Sequence, residues 1–292
     1  MSRPRALAPS PEQVALVRWT ASLGAVTAGA LAEHQGSAVP SARARLGAAA
    51  RAGLLARSAP LAAAPSLYTV TPGGLRACGL RGPRPARVTP ANAAHAVACA
   101  VAAAALERIY PDHRVLGEPE LRLQERRLGA PLAGASLGAG PGGGRRVHRP
   151  DLVLLPEASS GRRPIAVEVE LTVKAPARLL GICRGWARNR RIAGVLYLTP
   201  PEVAGPLARA IRRAGGGAHI VVVPLAALHL DHESGEASRA RDGRSRAGAG
   251  TSPRSAGRSR EPSPSAPSFA DGGSKIDQRR RQCPTSPSTA WS

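Results

Sequence analysis

The sequence predicts a mixed α and β protein (α+β or α/β) with two folded parts and a disordered C-terminal tail. Residues 11–82 carry apolar side chains at helical spacing and close with a short alternating run. Residues 90–228 contain apolar runs of strand length that alternate with helical segments. In residues 229–292 Ser, Arg, Gly and Pro dominate and no apolar period survives. Such a composition buries too little apolar surface to fold.

The first part is expected to contain three helices, then a strand and a short helix. Helices are predicted to begin at Pro11, because Pro suits a first turn, and at Thr27 and Ser41, because their hydroxyls cap free backbone N–H groups. The expected bounds are helices over 11–23, 27–34 and 41–55, a strand over 66–71 and a helix over 71–80. A linker rich in Pro and Arg, residues 81–90, is expected to separate this part from the next.

The second part is predicted to order as helix, strand, hairpin, helix, strand, helix and strand. The expected bounds are helices over 91–109, 176–189 and 201–214, and strands over 114–125, 151–155, 165–173, 194–199 and 219–225. A Gly-rich stretch over 135–146 is expected to be a flexible loop. The helix over 91–109 is rich in Ala, and its His95 is expected to be a satisfied core histidine rather than a metal ligand.

Acidic residues cluster on the predicted central hairpin. Alternation along its second strand places Glu168, Glu170 and Lys174 on one face, and Asp151 opens the neighbouring strand. Carboxylates stacked on one strand face repel each other, and a divalent cation removes that repulsion. Oxygen ligands near a lysine suit Mg²⁺ or Mn²⁺ and a phosphodiester substrate. The alternative is an edge strand with a solvated acidic face.

The charge balance is strongly basic. The chain of 292 residues carries 41 Lys and Arg residues against 19 Asp and Glu residues, a formal net charge of +22. This excess indicates a polyanionic partner, most often nucleic acid, although part of the Arg content reflects a GC-rich coding sequence. Lys174 is the only lysine before the tail, and a compact ammonium beside a phosphate is a role that Arg fills poorly.

The cysteines and the apolar segments bear on the compartment. The sequence contains four widely spaced cysteines, namely Cys78, Cys99, Cys183 and Cys283. They form no Cys-x-x-Cys pair, so we expect free thiols in a reducing compartment. The N-terminus has no apolar signal region, and the apolar stretch over 96–106 is too short to span a bilayer. We therefore expect a cytoplasmic protein without a membrane partner.

The order of elements in residues 11–82 resembles a winged helix-turn-helix domain. The resemblance rests on AAARAGLLAR, residues 48–57, followed by SLYTVTPGGLRA, residues 66–77. It implies that the third helix enters the major groove of double-stranded DNA. Arg43, Arg45 and Arg51 would then contact DNA, whereas the alternative is a solvated helix face.

The hairpin residues resemble the PD-(D/E)xK nuclease superfamily, with its αβββαβ order of elements. Pro150-Asp151 and Glu168-Val169-Glu170 carry this resemblance. It implies that Asp151 and Glu168 hold Mg²⁺ or Mn²⁺, helped by the carbonyl group of Val169. The lysine position of the motif holds Glu170 here, so either Glu170 or Lys174 would position the attacking water.

The helix after the hairpin supplies further basic residues. Arg178 and Arg184 lie in the predicted helix over 176–189. In a nuclease they would clamp the phosphates that flank the scissile bond.

The two parts together look like actinobacterial replication-relaxation-type proteins. The segments HRPD, residues 148–151, and AVEVELTVK, residues 166–174, carry this resemblance. It implies a DNA-binding protein connected with plasmid or mobile-element replication, and the nuclease resemblance adds a Mg-dependent endonuclease or nickase as its candidate activity. The alternative is a noncatalytic winged-helix replication or transcription regulator, in which the nuclease-like domain is a scaffold or a homodimer interface.

Overall fold

The computed structural model describes residues 8–62, 64–140 and 143–229. The predicted tail over 229–292 lies outside these residues except for its first member. The described chain is a mixed α and β fold that contains a mixed five-stranded sheet. Within these ranges, every helix is too short or too polar to cross a membrane.

The N-terminal part consists of helices and a small antiparallel hairpin. Its elements are α1 (Pro11–Leu23), α2 (Ala28–Gln35), α3 (Val39–Arg51), β1 (Leu55–Ser58), β2 (Leu67–Val70) and α4 (Pro72–Ala77). Ser10 caps α1 through a reciprocal pair of hydrogen bonds with Gln13, and Thr27 caps α2. The expected third helix over 41–55 is wrong at both ends. Pro40 in the first turn lets α3 begin at Val39, and the helix ends at Arg51 because Leu55 already pairs in β1.

Strand β1 pairs with β2 from Leu55↔Val70 to Ser58↔Leu67. An isolated bridge between Val26 and Tyr68 adds a short third segment to this hairpin. The three helices and the hairpin enclose one apolar cluster, which we call the N-terminal core. Its largest members are Leu16, Val17, Trp19, Leu31, Leu46 and Tyr68.

The second part contains the main sheet and its covering helices. Its elements are α5 (Pro90–Ile109), β3 (His113–Gly117), α6 (Glu118–Leu128), β4 (Ala135–Ala139), β5 (Arg145–His148), β6 (Leu152–Pro156), β7 (Ile165–Val169), α7 (Pro176–Ala187), β8 (Gly194–Thr199), α8 (Pro201–Ala214) and β9 (Ile220–Pro224). The strand order is β3-β6-β7-β8-β9. The first two pairings are antiparallel and the last two are parallel.

Helices cover both faces of this sheet. Side chains of α5 such as Leu106 pack on one face, against Val167 and Leu196, in what we call the α5-side core. Side chains of α7 and α8 such as Trp186 and Leu207 pack on the other face, in the α7-side core. Because side chains alternate along a strand, neighbouring residues of β7 enter opposite cores.

Three expected elements of the second part differ in the structure. The expected strand over 114–125 ends at Gly117, because Pro119 and two glutamates suit the first turn of α6. The expected loop over 135–146 is instead a hairpin of β4 and β5, in which Gly138 and Gly143 adopt positive φ angles.

The third difference is the length of β7, which stops at Val169 rather than residue 173. Its parallel neighbour β8 ends at Thr199, and the Glu170 N–H donates to the Leu198 carbonyl group as the last bond along this edge. Residues beyond Leu171 therefore lack a partner strand, and Val173 is 51% exposed.

Helix α5 joins the two parts. Its Ala100 and Ala104 belong to the N-terminal core, whereas Ala103 and Leu106 belong to the α5-side core. Small alanine side chains allow helices and sheet to approach α5 from both sides. This double packing explains why the sequence of α5 is apolar around most of its circumference.

Candidate metal centre and nucleic-acid interface

Asp151 lies at the entry to β6, on a segment fixed by its neighbours. The Arg149 side chain donates to the buried Glu125 carboxylate over 2.7 Å, and Pro150 is buried. Asp151 Oδ2 accepts a hydrogen bond from the Val169 backbone N–H over 2.8 Å. The carboxylate of Asp151 therefore binds the last residue of the neighbouring strand β7.

Asp151 and Glu168 follow the last pair of the β6–β7 ladder. That ladder ends with Leu152 opposite Val167, so Asp151 and Glu168 are the next residue of each strand. The sequence prediction that both acidic residues lie at the mouth of this hairpin agrees with this position along the strands.

The partners of these two carboxylates come from opposite layers. His95 of α5 places Nε2 at 3.3 Å from Asp151 Oδ2. Glu168 Oε1 accepts from the Trp186 indole N–H over 3.0 Å and lies 2.7 Å from His148 Nε2. Asp151 is thus engaged from the α5 side of the sheet, and Glu168 from the α7 side.

Glu168 is a buried acid, with 3% of its surface exposed. Burial raises the pKa of its carboxyl group, and the hydrogen bond with His148 opposes this rise. The rings of His148 and Trp186 meet edge to face, with centroids 5.9 Å apart. The rings of His148 and Trp186 pack against each other, and a nitrogen of each ring contacts Glu168 Oε1. These contacts hold the Glu168 side chain in place.

Two residues of α5 approach Asp151 from the same helix face. His95 and Cys99 are four residues apart, which places their side chains one helical turn from each other. Cys99 Sγ lies 3.6 Å from His95 Nδ1 and 3.8 Å from Nε2. One ligand atom from each of His95, Cys99 and Asp151 lies within 4.8 Å of the others. The structure thus brings together a His, Cys and Asp set.

Hydrogen bonding and burial shift the pKa values of His95 and Cys99. The hydrogen bond with Asp151 raises the pKa of His95, whose Nε2 also lies 3.1 Å from the Val169 carbonyl oxygen. Burial raises the pKa of the Cys99 thiol well above its usual range, and the Asp151 carboxylate adds to the rise. His95 was expected to be a core histidine, and the structure instead places its ring against a carboxylate, a carbonyl group and a thiol.

Glu170 and Lys174 lie just past the end of β7. Glu170 is buried, and its carboxylate pairs with the Lys174 ammonium group. Burial lowers the pKa of Lys174, whereas the negative charges of Glu168 and Asp151 oppose that change. Strand β7 ends at Val169, so Lys174 does not continue the alternation along the strand. Its side chain instead turns back toward Glu170.

Several oxygen donors lie near the end of β7, but the partners of Asp151 and Glu168 hold these two carboxylates from opposite layers. Asp151, Glu168 and the Val169 carbonyl group offer oxygen atoms, which Mg²⁺ and Mn²⁺ prefer. His95 Nε2 lies 3.1 Å from the Val169 oxygen and 3.3 Å from Asp151 Oδ2, so these two oxygens already converge on one polar atom. Asp151 and Glu168 would hold the cation implied by the resemblance, in competition with His95, His148 and Trp186.

A cavity of about 740 Å³ opens over the His95, Cys99 and Asp151 set. Its walls come from residues 82–88 of the predicted linker and from α6. Four arginines line it, namely Arg84, Arg87, Arg122 and Arg126. One of them, Arg122, donates to Glu118 of the same helix. The cavity is therefore lined both by the Asp151 carboxylate and by arginine side chains.

The arginines predicted to contact DNA lie on exposed surfaces. Arg43, Arg45 and Arg51 are exposed on α3, and Arg45 donates to Gln35 Oε1 over 2.6 Å. Arg178 and Arg184 are exposed on α7. These are two separate basic surfaces, one on the N-terminal helices and one beside the main sheet.

Sequence reasoning missed four side chains at the site. His95, Cys99, His148 and Trp186 lie far apart along the chain, and tertiary packing alone brings them to the two carboxylates. The spacing of His95 and Cys99 on a predicted helix was an available signal. The remaining contacts depend on the helix docking positions, which no local pattern encodes.

Comparisons with protein-family models, with curated proteins and with solved structures found no match.

Proposed function

We propose that the protein binds double-stranded DNA through α3 of its N-terminal part. The observation that carries this proposal is the exposure of Arg43, Arg45 and Arg51 around α3, the helix that precedes the β1–β2 hairpin. A recognition helix followed by a two-stranded wing is an arrangement that docks in the major groove. Phosphate contacts from arginine supply most of the affinity in such complexes.

The packing of α3 supports this role. Ala42, Leu46 and Ala49 are buried in the N-terminal core, so one face of α3 is fixed against the domain. The arginines lie at other positions around the same helix and remain exposed. A rigidly held helix with exposed arginines can enter a groove without a large loss of conformational entropy.

DNA binding by purified full-length protein tests this proposal. We expect the Arg43→Ala, Arg45→Ala double variant to bind a random duplex at least about tenfold more weakly, since each lost phosphate contact removes counterion release. Arg212→Ala, an exposed arginine on α8, is the matched control and is expected to bind like wild type. Equal affinity of the double variant and wild type would exclude α3 as the DNA-binding face.

A second candidate function is metal-dependent cleavage of DNA, as an endonuclease or nickase. It is favoured by one observation, the position of Asp151 and Glu168 directly after the last pair of the β6–β7 ladder. The order α5, β3, β6, β7, α7 and β8 and the mixed strand directions also suit a PD-(D/E)xK-like domain.

In this role the chain's own residues have separate tasks. A divalent cation would supply a more acidic bound water and charge stabilisation at phosphorus. Asp151 and Glu168 would hold that cation, and Lys174 or Glu170 would orient water at the adjacent position. Arg178 and Arg184, exposed on α7, would bind the flanking phosphates.

Conversion of supercoiled plasmid to the nicked form in Mn²⁺ tests this second function. We expect wild type to nick, and Asp151→Asn and Glu168→Gln to nick at least about 100-fold more slowly, since each loses a charged ligand. Glu202→Gln on the exposed start of α8 is the control. If wild type does not nick, cleavage is excluded and the noncatalytic alternative remains. If the two site variants nick as fast as wild type, Asp151 and Glu168 do not form a cleavage site.

The resemblance to replication-relaxation-type proteins suggests a role in plasmid or mobile-element replication, and both candidate functions are compatible with that role. In the noncatalytic version, the nuclease-like domain is a scaffold or a homodimer interface. DNA binding that is insensitive to EDTA, together with the absence of nicking, supports this version.

A further inference from the structure

Beyond DNA binding and cleavage, the His95, Cys99 and Asp151 set has the composition of a transition-metal site. Imidazole and thiolate ligands select zinc-like ions over Mg²⁺, which prefers oxygen atoms alone. Asp151 adds one carboxylate, a common third ligand for Zn²⁺. A helix that offers His and Cys one turn apart is well suited to hold two ligands on the same side of an ion.

The distances match such a site. Zinc bonds of about 2.0–2.1 Å to nitrogen or oxygen and about 2.3 Å to sulfur imply ligand separations of about 3.4 Å for N–O and 3.6 Å for N–S in a tetrahedron. His95 Nε2 lies 3.3 Å from Asp151 Oδ2, and Cys99 Sγ lies 3.8 Å from His95 Nε2. The N–O separation therefore fits such a site. Cys99 Sγ also lies 3.6 Å from His95 Nδ1, so the Cys99 side chain must rotate, on an unchanged backbone, to reach an ion held by Nε2.

The surrounding structure orients the ligands and leaves an entry path. The Val169 N–H donates to Asp151 Oδ2 over 2.8 Å and orients that carboxylate. All three residues line the cavity of about 740 Å³ with its four arginines. Three protein ligands facing an open cavity are typical of a site that keeps a position for water or an anionic ligand.

We propose that His95, Cys99 and Asp151 bind a zinc-like transition-metal ion, whose open position faces the arginine-lined cavity and takes a phosphate group. Binding releases the thiol proton of Cys99 to solvent and moves the hydrogen of His95 Nε2 to Nδ1. Metal–sulfur and metal–nitrogen bonds form, with no change of oxidation state. The proposal shares Asp151 with the Mg²⁺ pair described above but does not need Glu168.

Cobalt titration of the full-length, EDTA-treated protein tests the site, because a Co²⁺–thiolate bond gives near-ultraviolet charge-transfer absorption. We expect one equivalent of Co²⁺ to produce this band in wild type, an excess of Mg²⁺ to leave it, and Zn²⁺ to remove it, as Zn²⁺ binds such ligands more tightly. A wild-type titration without this band overturns the proposal.

Variants separate this site from other thiols and from the candidate nuclease pair. Cys99→Ser is expected to abolish the band, whereas Cys78→Ser and Cys283→Ser retain it. His95→Ala and Asp151→Asn are expected to weaken Co²⁺ binding at least about tenfold, since even outer-shell changes cost that much. Glu168→Gln is expected to leave the band unchanged, although it abolishes nicking if the cleavage function is correct. A band that survives Cys99→Ser in a protein with wild-type circular dichroism overturns the assignment.

Inorganic phosphate tests the open position. We expect phosphate to shift the visible absorption of bound Co²⁺ in wild type, and to do so at least about tenfold less effectively in the Arg84→Ala, Arg87→Ala variant, because these arginines favour an anion in the cavity. A cobalt spectrum that does not respond to phosphate overturns this part of the proposal. None of these readings requires DNA.

Discussion

The indole N–H of Trp19 donates to Glu107 Oε1 over 3.1 Å and links α1 to α5. The other oxygen of Glu107 lies 2.6 Å from His34 Nδ1 of α2, and the Trp19 and His34 rings stack with centroids 4.3 Å apart. One carboxylate on α5 therefore binds two helices of the N-terminal part. The same helix carries His95 and Cys99, so the docking of the N-terminal part also fixes one side of the candidate metal site.

Glu107→Ala is expected to destabilise the protein by about 1–2 kcal/mol, because it leaves two partly buried polar groups without their partner. Urea unfolding followed by tryptophan fluorescence measures this change. Glu157→Ala, at an exposed loop position, is the control and is expected to stay within about 0.5 kcal/mol of wild type. Equal stability of the Glu107 and Glu157 variants would show that this contact contributes nothing to docking.

Gly117→Ala tests the packing between the two parts. A Cβ atom at Gly117 would lie 2.6 Å from the Ser22 carbonyl oxygen and 2.7 Å from Leu23 Cα, both backbone atoms of α1. Backbone cannot yield as a side chain can, so we expect a loss of about 1–3 kcal/mol in the free energy of unfolding.

Gly181→Ala provides the matched control for this substitution. A Cβ atom there meets open space on α7, and Ala is the better helix former, so a gain of about 0.5–1 kcal/mol is expected. If Gly117→Ala is as stable as wild type, α1 and β3 do not pack as closely as described.

Elements with strong local signals could be predicted from the sequence. The bounds of α1, β8 and α8 match the expected ranges, because each combines a clear apolar pattern with a Pro or a turn at its end. The hairpin of β4 and β5 was missed because its Gly-rich sequence resembles a flexible loop. Strand β7 was predicted too long, since its end depends on where the neighbouring strand β8 stops.

The candidate site was only partly visible in the sequence. Alternating charge identified Asp151 and Glu168 as unusual residues. Their partners were not identified, because α5 and α7 approach the sheet from opposite faces. Periodicity gives the buried face of a helix but not the strand residue that it meets. The pairing of His95 with Asp151, and of Trp186 with Glu168, therefore required the tertiary structure.

Glu168→Gln is expected to change the pH dependence of stability. Burial raises the pKa of Glu168, so this group contributes stability that is fully present below its unfolded pKa and is lost as pH rises through its folded pKa. Glutamine keeps an oxygen that can accept from Trp186 but carries no charge. The variant should therefore gain stability relative to wild type as the pH rises above 4.5, the ordinary pKa of a glutamate.

Urea unfolding of both proteins in EDTA at several pH values in this range checks the prediction. The Glu202→Gln control lies at the exposed first turn of α8, where the carboxylate is solvated, and should show no such trend. A stability difference between wild type and Glu168→Gln that is constant with pH, or that favours wild type as pH rises, contradicts the raised pKa.

The salt dependence of DNA binding distinguishes direct phosphate contacts on α3 from an indirect effect on folding. Each phosphate that an arginine neutralises adds about 0.9 to the slope of log affinity against log salt concentration. If Arg43 and Arg45 each contact one phosphate, the double alanine variant should have a slope smaller by about 2. Fluorescence anisotropy with a labelled duplex at several salt concentrations measures both slopes. A variant that binds more weakly at an unchanged slope would show that the arginines support the fold of α3 rather than contact DNA.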